Sequence, residues 1–310
     1  MVRSDKLIFV PLFMVYARIV ISTVLLLLCK MASAQVSAVY TLAPQQFFNH
    51  YYLINPANES LENRLHLAAG NRSMVGVFSG IGSSYGNIRY TGYNRARTQA
   101  NTVGLHISNM RRGEYIQLNK IHFRYALTIA LSENTYISAG VSGGLINYRL
   151  AASQASAGGS ALGPDLAAGI WLLSDKLQAG ISMMQLLNTG LQPLNERLEL
   201  RRYINIASSY KLAISPASDL KIHGWFRYEL YNNRSGFMIC PLYSWKEMIE
   251  LGPGYDIERG MYVYAGLGKI SLGQGALQAG ASFLLLSSRY LSDLTDSVVE
   301  LSIVYAINQE

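Results

Sequence analysis

The chain has 310 residues, of which 50% are hydrophobic and only 15% are charged, and its formal net charge is +7. Soluble domains usually carry about 25% charged residues, so this composition argues against an ordinary soluble domain and leaves a Tyr-rich secreted β-sandwich as the alternative to a membrane protein. Removing the predicted signal peptide takes away four of the 26 basic and one of the 19 acidic residues, so the formal net charge of the mature chain is +4. A positive charge this small gives no argument for nucleic-acid binding.

The N-terminus has the features of a secretory signal peptide. Arg18 precedes an apolar run over residues 19–28, and Ala32-Ser33-Ala34 forms a cleavage site of small residues. The apolar run is too short to span a bilayer as a helix. We therefore predict a signal peptide over residues 1–34, with Met14 as an alternative start.

Residues 35–63 are predicted to form a periplasmic leader before the first strand. Pro56 fixes its own backbone and biases Asn55 toward an extended conformation, so the segment is shaped but not helical. The candidate contacts for a partner are the aromatic and Asn-Pro positions Tyr51, Tyr52, Leu53, Asn55 and Pro56. Packing inside a barrel as a plug is the alternative, and a simple connection to the first strand is the plainest explanation.

The rest of the chain, residues 64–310, alternates between apolar and polar or small residues. In the stretch 120–131, Ile121 and Leu127 are among the apolar positions, whereas Arg124 and Thr128 are among the polar ones. Period two indicates strands with two different faces. Strands of about ten or more residues are long enough to cross a bilayer when tilted.

About fourteen such strands predict an all-β, transmembrane, antiparallel up-and-down β-barrel. The long connections are expected at 151–163, 188–197 and 287–296. The tight turns are expected at 132–134, 174–175 and 245–247. With a periplasmic N-terminus, the tight turns face the periplasm and the long loops face outside, as in bacterial barrels. The predicted link at 92–100 is too long for this rule.

No catalytic, metal-binding or cofactor-binding residues are predicted. Residues 82–86 and 140–144 fit the spacing of a nucleophile elbow, but no helix follows either of them. The five histidines lack paired ligand spacing, and no phosphate-loop or metal motif appears. Only Cys240 remains in the predicted mature chain, so no disulfide can form within it.

Basic residues are frequent in the first strands. They are Arg89, Arg95, Arg97, Arg111, Arg112 and Arg124. They either form an anion-selective lining of the lumen or, more simply, lie on its wall solvated by water or paired with Glu114 and Glu133.

The leader stretch Phe47-Phe48-Asn49-His50-Tyr51-Tyr52-Leu53-Ile54-Asn55-Pro56-Ala57 resembles the N-terminal signature of the PorP/SprF family of outer-membrane proteins, from type IX secretion and gliding-motility systems of certain Gram-negative bacteria. Further similar pieces, in the same order, are Gly70-Asn71-Arg72-Ser73, Pro164-Asp165-Leu166-Ala167-Ala168-Gly169, Asp175-Lys176, Leu200-Arg201-Arg202-Tyr203 and Val299-Glu300-Leu301-Ser302-Ile303-Val304-Tyr305. The resemblance implies a non-enzymatic barrel in the bacterial outer membrane, without cofactors. Its implied partners are secreted adhesins or other cargo bearing a type IX C-terminal domain, and periplasmic secretion components.

Two functions of different classes therefore stay open. The first is a partner in the secretion or surface anchoring of other proteins, and the second is a passive porin or small-molecule channel. The alternation of the strands cannot separate them, because both need the same barrel. The aromatic leader favours the first, since a porin has no need of such a segment.

Overall fold

The computed structural model describes residues 44–59, 63–76, 80–96, 98–153, 157–195, 197–287 and 297–308. The strands in these ranges are β1 (Asn63–Val75), β2 (Gly82–Tyr93), β3 (Gln99–Arg112), β4 (Ile116–Ser132), β5 (Thr135–Leu150), β6 (Gly159–Ser174), β7 (Leu177–Met184), β8 (Gly190–Leu191), β9 (Leu198–Glu199), β10 (Tyr203–Ser215), β11 (Ser218–Glu229), β12 (Arg234–Trp245), β13 (Ile249–Asp256), β14 (Gly260–Leu272), β15 (Gly275–Ser287) and β16 (Ser297–Asn308). Two short 3-10 turns, Phe47–Asn49 and Tyr51–Leu53, precede them.

Fourteen of these strands close into one antiparallel barrel, and β8 and β9 form a separate small hairpin. The barrel closes where β1 pairs with β16, so neither terminal strand is left as an open edge. The predicted fold class and strand number are confirmed. Within the described ranges, no helix is long and apolar enough to cross a membrane.

The alternation of the sequence separates an outer apolar face from an inner face. In β4, Phe123 and Tyr125 are exposed on the outer face, at 66% and 46%, whereas Arg124 is 7% exposed and Thr128 is 2% exposed on the inner face. The outer side chains are therefore in position to contact lipid, and the polar ones point into the lumen.

The connections differ in length between the two ends of the barrel. At one end the connections are short, as in the two-residue turns 133–134, 175–176, 216–217 and 273–274. The opposite end carries the connections 151–158 and 185–202. Bacterial barrels have short periplasmic turns and longer extracellular loops, so we assign the first end to the periplasm. The predicted loop 287–296 lies almost wholly outside the described residues.

Several strand boundaries differ from the prediction. The loop expected at 151–163 ends at residue 158, because residues 159–163 already pair with β5. The link expected at 92–100 shrinks to 94–98, because Tyr93 still pairs with Ala100 and β3 already begins at Gln99. The strand expected from residue 198 starts only at Tyr203, because residues 198–199 form β9 with the partner strand Gly190–Leu191.

The depth of an outer residue is expected to decide how well it tolerates a charge. Phe123 lies near the middle of β4, and Leu131 lies on the same face beside the periplasmic turn. Phe123→Arg should destabilise the barrel by about 2–4 kcal/mol and Leu131→Arg by about 0–1 kcal/mol. Urea unfolding followed by heat-modifiable gel mobility measures both. Equal losses for the two variants would contradict the assignment of this face to lipid.

Candidate functional site: the lumenal plug

Residues 44–59, which we call the plug, lie inside the barrel and cross its lumen. Phe47 and His50 are completely buried, and Tyr51 is 6% exposed. The leader was expected in the periplasm, and for residues 44–59 this placement is corrected in favour of the alternative plug. Burial lowers the pKa of His50 to about 3, so its ring is neutral at pH 7.

Aromatic side chains of the plug form the core of the barrel interior together with aromatic side chains of the wall. The ring centroids of Tyr51 and Trp171 are 5.0 Å apart, and those of Phe47 and Trp225 are 6.3 Å apart. Burying each large apolar side chain contributes roughly 1.5–3 kcal/mol. The plug is therefore held by a packed core of its own inside the lumen.

Small residues on the wall give the plug backbone its space. Neighbouring strands place them in one inward-facing row, Thr91, Thr102, Ala126, Gly140, Gly169 and Ser182. A Cβ atom added at Gly140 would lie 2.5 Å from the carbonyl oxygen of Pro56 and 2.6 Å from Cα of Ala57. Backbone of the plug thus occupies the volume that side chains would fill in an ordinary strand.

The Asn55 side chain anchors the plug to β6 and β7. Its amide nitrogen donates hydrogen bonds to the carbonyl oxygens of Ile170, at 3.0 Å, and of Ile181, at 3.2 Å. Gly169 and Gly180 provide the room, because a Cβ atom at either position would overlap the Asn55 amide. A strand pair therefore binds a plug side chain through its own backbone.

Three further contacts fix the middle of the plug. The carbonyl oxygen of Ile54 accepts hydrogen bonds from Ser182 Oγ, at 2.5 Å, and from Asn205 Nδ2, at 2.8 Å. The Tyr51 hydroxyl lies 3.0 Å from Nδ1 of His223 on β11. Burial raises the pKa of Tyr51 above its usual value, so this hydroxyl stays neutral.

Glu300 anchors the beginning of the plug at the closing seam of the barrel. Its carboxylate accepts hydrogen bonds from the backbone N–H of Gln45, at 2.6 Å, from that of Gln46, at 3.3 Å, and from the Tyr85 hydroxyl, at 3.0 Å. Glu300 on β16 is also the direct register partner of Arg72 on β1. One carboxylate of the last strand thus holds the start of the plug and Tyr85 of β2.

Glu59 anchors the end of the plug. Its carboxylate oxygens lie 3.0 Å from Nη2 of Arg124 and 3.6 Å from Nη1 of Arg89, and all three side chains are almost completely buried. The expected pairing of these arginines with Glu114 and Glu133 is thereby corrected: their partner is Glu59 of the plug. Arg97, which was in the same predicted group, lies outside the described residues.

A second apolar cluster narrows the outer mouth of the barrel. Its buried members are Met110, Leu118, Ile146, Tyr148, Leu191 and Leu200. Leu191 and Leu200 come from the connection 185–202, so this connection folds inward instead of projecting away from the barrel. The lumen is therefore obstructed at two levels.

The plug divides the remaining lumenal space into two parts. The periplasmic vestibule, of about 570 Å³, is lined by plug residues Phe48, Tyr51 and Tyr52 and reaches the turn residues 174–176. The outer chamber, of about 80 Å³, is lined on the plug side by Leu53 and Ile54 and toward the mouth by Met110.

The five predicted partner contacts have different surroundings. Tyr51 lines the periplasmic vestibule, Tyr52 lines both cavities, and Leu53 lines the outer chamber. Asn55 and Pro56 lie against the wall at the inward glycines. Whether any of them contacts a partner protein stays a prediction.

The structure assigns no catalytic geometry to the two serine motifs. Residues 82–86 lie within β2 and residues 140–144 within β5, without the strand-to-helix turn of a nucleophile elbow. Within the described residues, no group of three His, Cys, Asp or Glu side chains could hold a metal ion.

The chain matches, over residues 36–305, the family described as the type IX secretion system membrane protein PorP/SprF. None of the curated proteins matches the chain in sequence.

Solved structures with the same fold include two transporters and one channel. The Ralstonia pickettii toluene transporter TbuX has a TM-score of 0.57 and 9% identity, with 83% of this chain and 93% of that chain covered. The Pseudomonas putida toluene transporter TodX has a TM-score of 0.54 and 11% identity, with 89% and 96% covered. The CymD monoaromatic hydrocarbon channel has a TM-score of 0.53 and 10% identity, with 89% and 95% covered. At these identities the likeness shows the barrel fold alone.

Proposed function

We propose, because this chain belongs to the PorP/SprF family of type IX secretion system membrane proteins, that it assists the secretion or surface anchoring of partner proteins and does not pass solutes. The observation that carries this proposal is the plug. It crosses the lumen and is fixed to the wall by Asn55, Glu59 and the contacts that Glu300 makes with it. A barrel closed in this way acts through its surfaces.

The cargo of this chain is, in our proposal, an adhesin or another protein bearing a type IX C-terminal domain. Periplasmic secretion components are the expected partners on the other side of the membrane. The periplasmic vestibule is suited to them, because its volume of about 570 Å³ falls in the range of ligand pockets, roughly 300–1,000 Å³. It presents the rings of Phe48, Tyr51 and Tyr52, and aromatic residues are common in the centres of protein interfaces.

The basic side chains of the vestibule give the proposed contact a preferred charge. The basic lining residues are Arg89, Lys176, Lys211, Lys221 and Lys269, and the acidic ones are Glu59, Asp175 and Glu250. Lys221 is paired with Glu250 at 2.8 Å, and Lys211 with Asp219 at 3.0 Å. A periplasmic segment that combines aromatic and acidic residues fits this lining best.

A small-molecule channel is the second candidate. It is favoured by the cavities on both sides of the plug and by the likeness of the fold to the toluene transporters TbuX and TodX. It requires the plug to leave its position, since the aromatic core and the Asn55 hydrogen bonds obstruct the lumen.

Deleting residues 45–57, with the signal peptide retained, is expected to leave a folded barrel and to remove one or a few partner proteins from the cell surface. General secretion should continue. The reason is that the deletion removes the plug rings from the vestibule but leaves every barrel strand intact. The measurement is proteomics of protease-shaved cells, together with the folded fraction from heat-modifiable mobility.

A gene knockout and the single variant Leu131→Arg are the controls. The knockout should lose the same surface proteins, and Leu131→Arg, which changes only the outer face near a turn, should keep them. An unchanged surface proteome in the knockout and in the deletion, with a fall in solute uptake by the knockout, would replace the secretion proposal by the channel.

A further inference from the structure

Buried hydrogen-bond donors converge on the outer chamber beside the plug. Tyr52 Oη, Asn87 Nδ2 and the Nε and Nη1 atoms of Arg124 have no hydrogen-bond partner in the described part of the chain. Each of the three residues is no more than 8% exposed, and each lines the outer chamber. Buried polar groups in folded proteins almost always have a partner, so this set requires an acceptor.

The register of the strands explains the convergence. Arg89, Gly104 and Arg124 are direct neighbours in one row across β2, β3 and β4. Gly104 has no side chain, and a Cβ atom there would lie 3.7 Å from Arg124 Nε. The guanidinium of Arg124 therefore extends over the glycine. Tyr52 approaches from the plug, with its ring centroid 5.8 Å from that of His106 on β3.

The charge of the lining selects the sign of the ligand. The cationic residues that line the outer chamber are Lys120, Arg124 and Arg227, and the described lining contains no acidic residue. Behind the lining, Asp165 lies 3.4 Å from Lys120, and Glu59 is shared between Arg124 and Arg89. Arg227 lies 3.4 Å from Glu229 and 3.7 Å from Glu258. None of these four carboxylates is among the described lining residues, so the charged side chains that line the chamber are all cationic.

We infer that the outer chamber is a binding site for a small oxyanion of the phosphate, sulfate or carboxylate class. Arginine presents donors in a fork that matches such oxyanions, and the Tyr52 hydroxyl and the Asn87 amide supply neutral donors from two other directions. The chamber volume of about 80 Å³ exceeds the roughly 10–15 Å³ that a single water needs. The bound anion joins the plug, through Tyr52, to strands β2 and β4.

The test uses the full mature chain refolded in detergent with inorganic phosphate, sulfate or acetate, at an ionic strength held constant with sodium chloride. Refolding in the presence of the anion admits it to the enclosed chamber. At least one oxyanion should raise the midpoint of thermal unfolding above that in chloride alone. Comparing the shifts in phosphate and sulfate with the shift in acetate distinguishes a tetrahedral oxyanion from a carboxylate.

Arg124→Gln should raise the anion concentration needed for half of this shift by about ten- to a hundredfold, the loss expected for a charged hydrogen-bond donor. Tyr52→Phe, which keeps the ring and should fold even where Arg124→Gln does not, should raise it by about two- to tenfold. Arg111→Gln, an exposed arginine on β3, is the matched control and should respond like the wild type. The inference is overturned if no oxyanion acts beyond chloride, or if the Tyr52→Phe variant responds fully.

Discussion

The variant Gly140→Val is expected to push the plug off the wall and to leave the barrel folded. Any side chain at this position meets the backbone of Pro56 and Ala57, with a Cβ atom 2.5 Å from the Pro56 oxygen. The plug backbone at this point is held to β6 and β7 by the Asn55 hydrogen bonds, so it cannot move aside as a flexible side chain does. Overpacking costs about 1–3 kcal/mol, whereas valine itself suits a strand.

Cys240 can report the movement of the plug, so that no additional cysteine has to be introduced. It is completely buried in the same apolar cluster as Phe47 and Phe48, and it is the one cysteine of the predicted mature chain. In the wild type its thiol should react slowly with a small maleimide under native conditions. In Gly140→Val the reaction should be at least about tenfold faster, as expected for roughly 1.4 kcal/mol or more of lost closure.

Gly143→Val is the matched control for this experiment. Gly143 lies on the same strand but on the outer face, and an added Cβ atom would meet its nearest neighbour, Leu166, at an ordinary 3.5 Å. The control should protect Cys240 as the wild type does. A protected thiol in Gly140→Val, or equal reactivity in both variants, would show that Gly140 does not set the position of the plug.

The barrel itself was predictable because its signal is local. Outer residues such as Phe123 and inner residues such as Arg124 alternate at period two, and this period alone fixes strand type and face. The strand count and the two ends followed from the same pattern. The start of β3 was missed because the alternation is reversed there: polar Gln99 lies on the outer face, and apolar Ala100 is buried on the inner face.

The plug position was not predictable, because it depends on contacts between distant parts of the chain. The sequence showed Asn55-Pro56 and Gly169 as separate pieces, and only the strand register brings the Asn55 amide over Gly169 and Gly180. Glycine at period two within long strands was the available signal. Such glycines mark a close approach of another segment, but they do not say which segment approaches.

Pairs of charged residues were hidden for the same reason. Arg89 and Arg124 were expected to be solvated by lumen water or paired with Glu114 and Glu133, yet their partner Glu59 belongs to the plug. Glu300 and Arg72 stand at opposite ends of the sequence and meet only because β16 closes on β1. Barrel closure thus creates the sites that hold the plug.

The variant Glu300→Leu is expected to have the largest effect on stability. The Glu300 side chain is completely buried and accepts hydrogen bonds from Gln45, Gln46 and Tyr85. Leucine leaves these three donors without their acceptor and removes the carboxylate opposite Arg72 at the seam. Removing one member of a buried charge pair costs about 3–5 kcal/mol, which should appear in urea unfolding and as a lower folded fraction in outer-membrane preparations.

Two control variants, Glu199→Leu and Glu300→Gln, separate the effect of the buried Glu300 charge from the effect of replacing any glutamate. Glu199→Leu removes a half-buried partner of Arg201, and this pair should be worth only about 0–1 kcal/mol. Glu300→Gln keeps an acceptor for the plug but not the charge, so its loss should lie between the two. If closure of the seam depends on the charge of Glu300, adding Arg72→Met should restore part of the stability that Glu300→Leu loses. The double variant no longer buries Arg72 opposite an apolar side chain. Strict additivity of these two substitutions would show that Glu300 holds the plug alone and contributes nothing to closing the barrel.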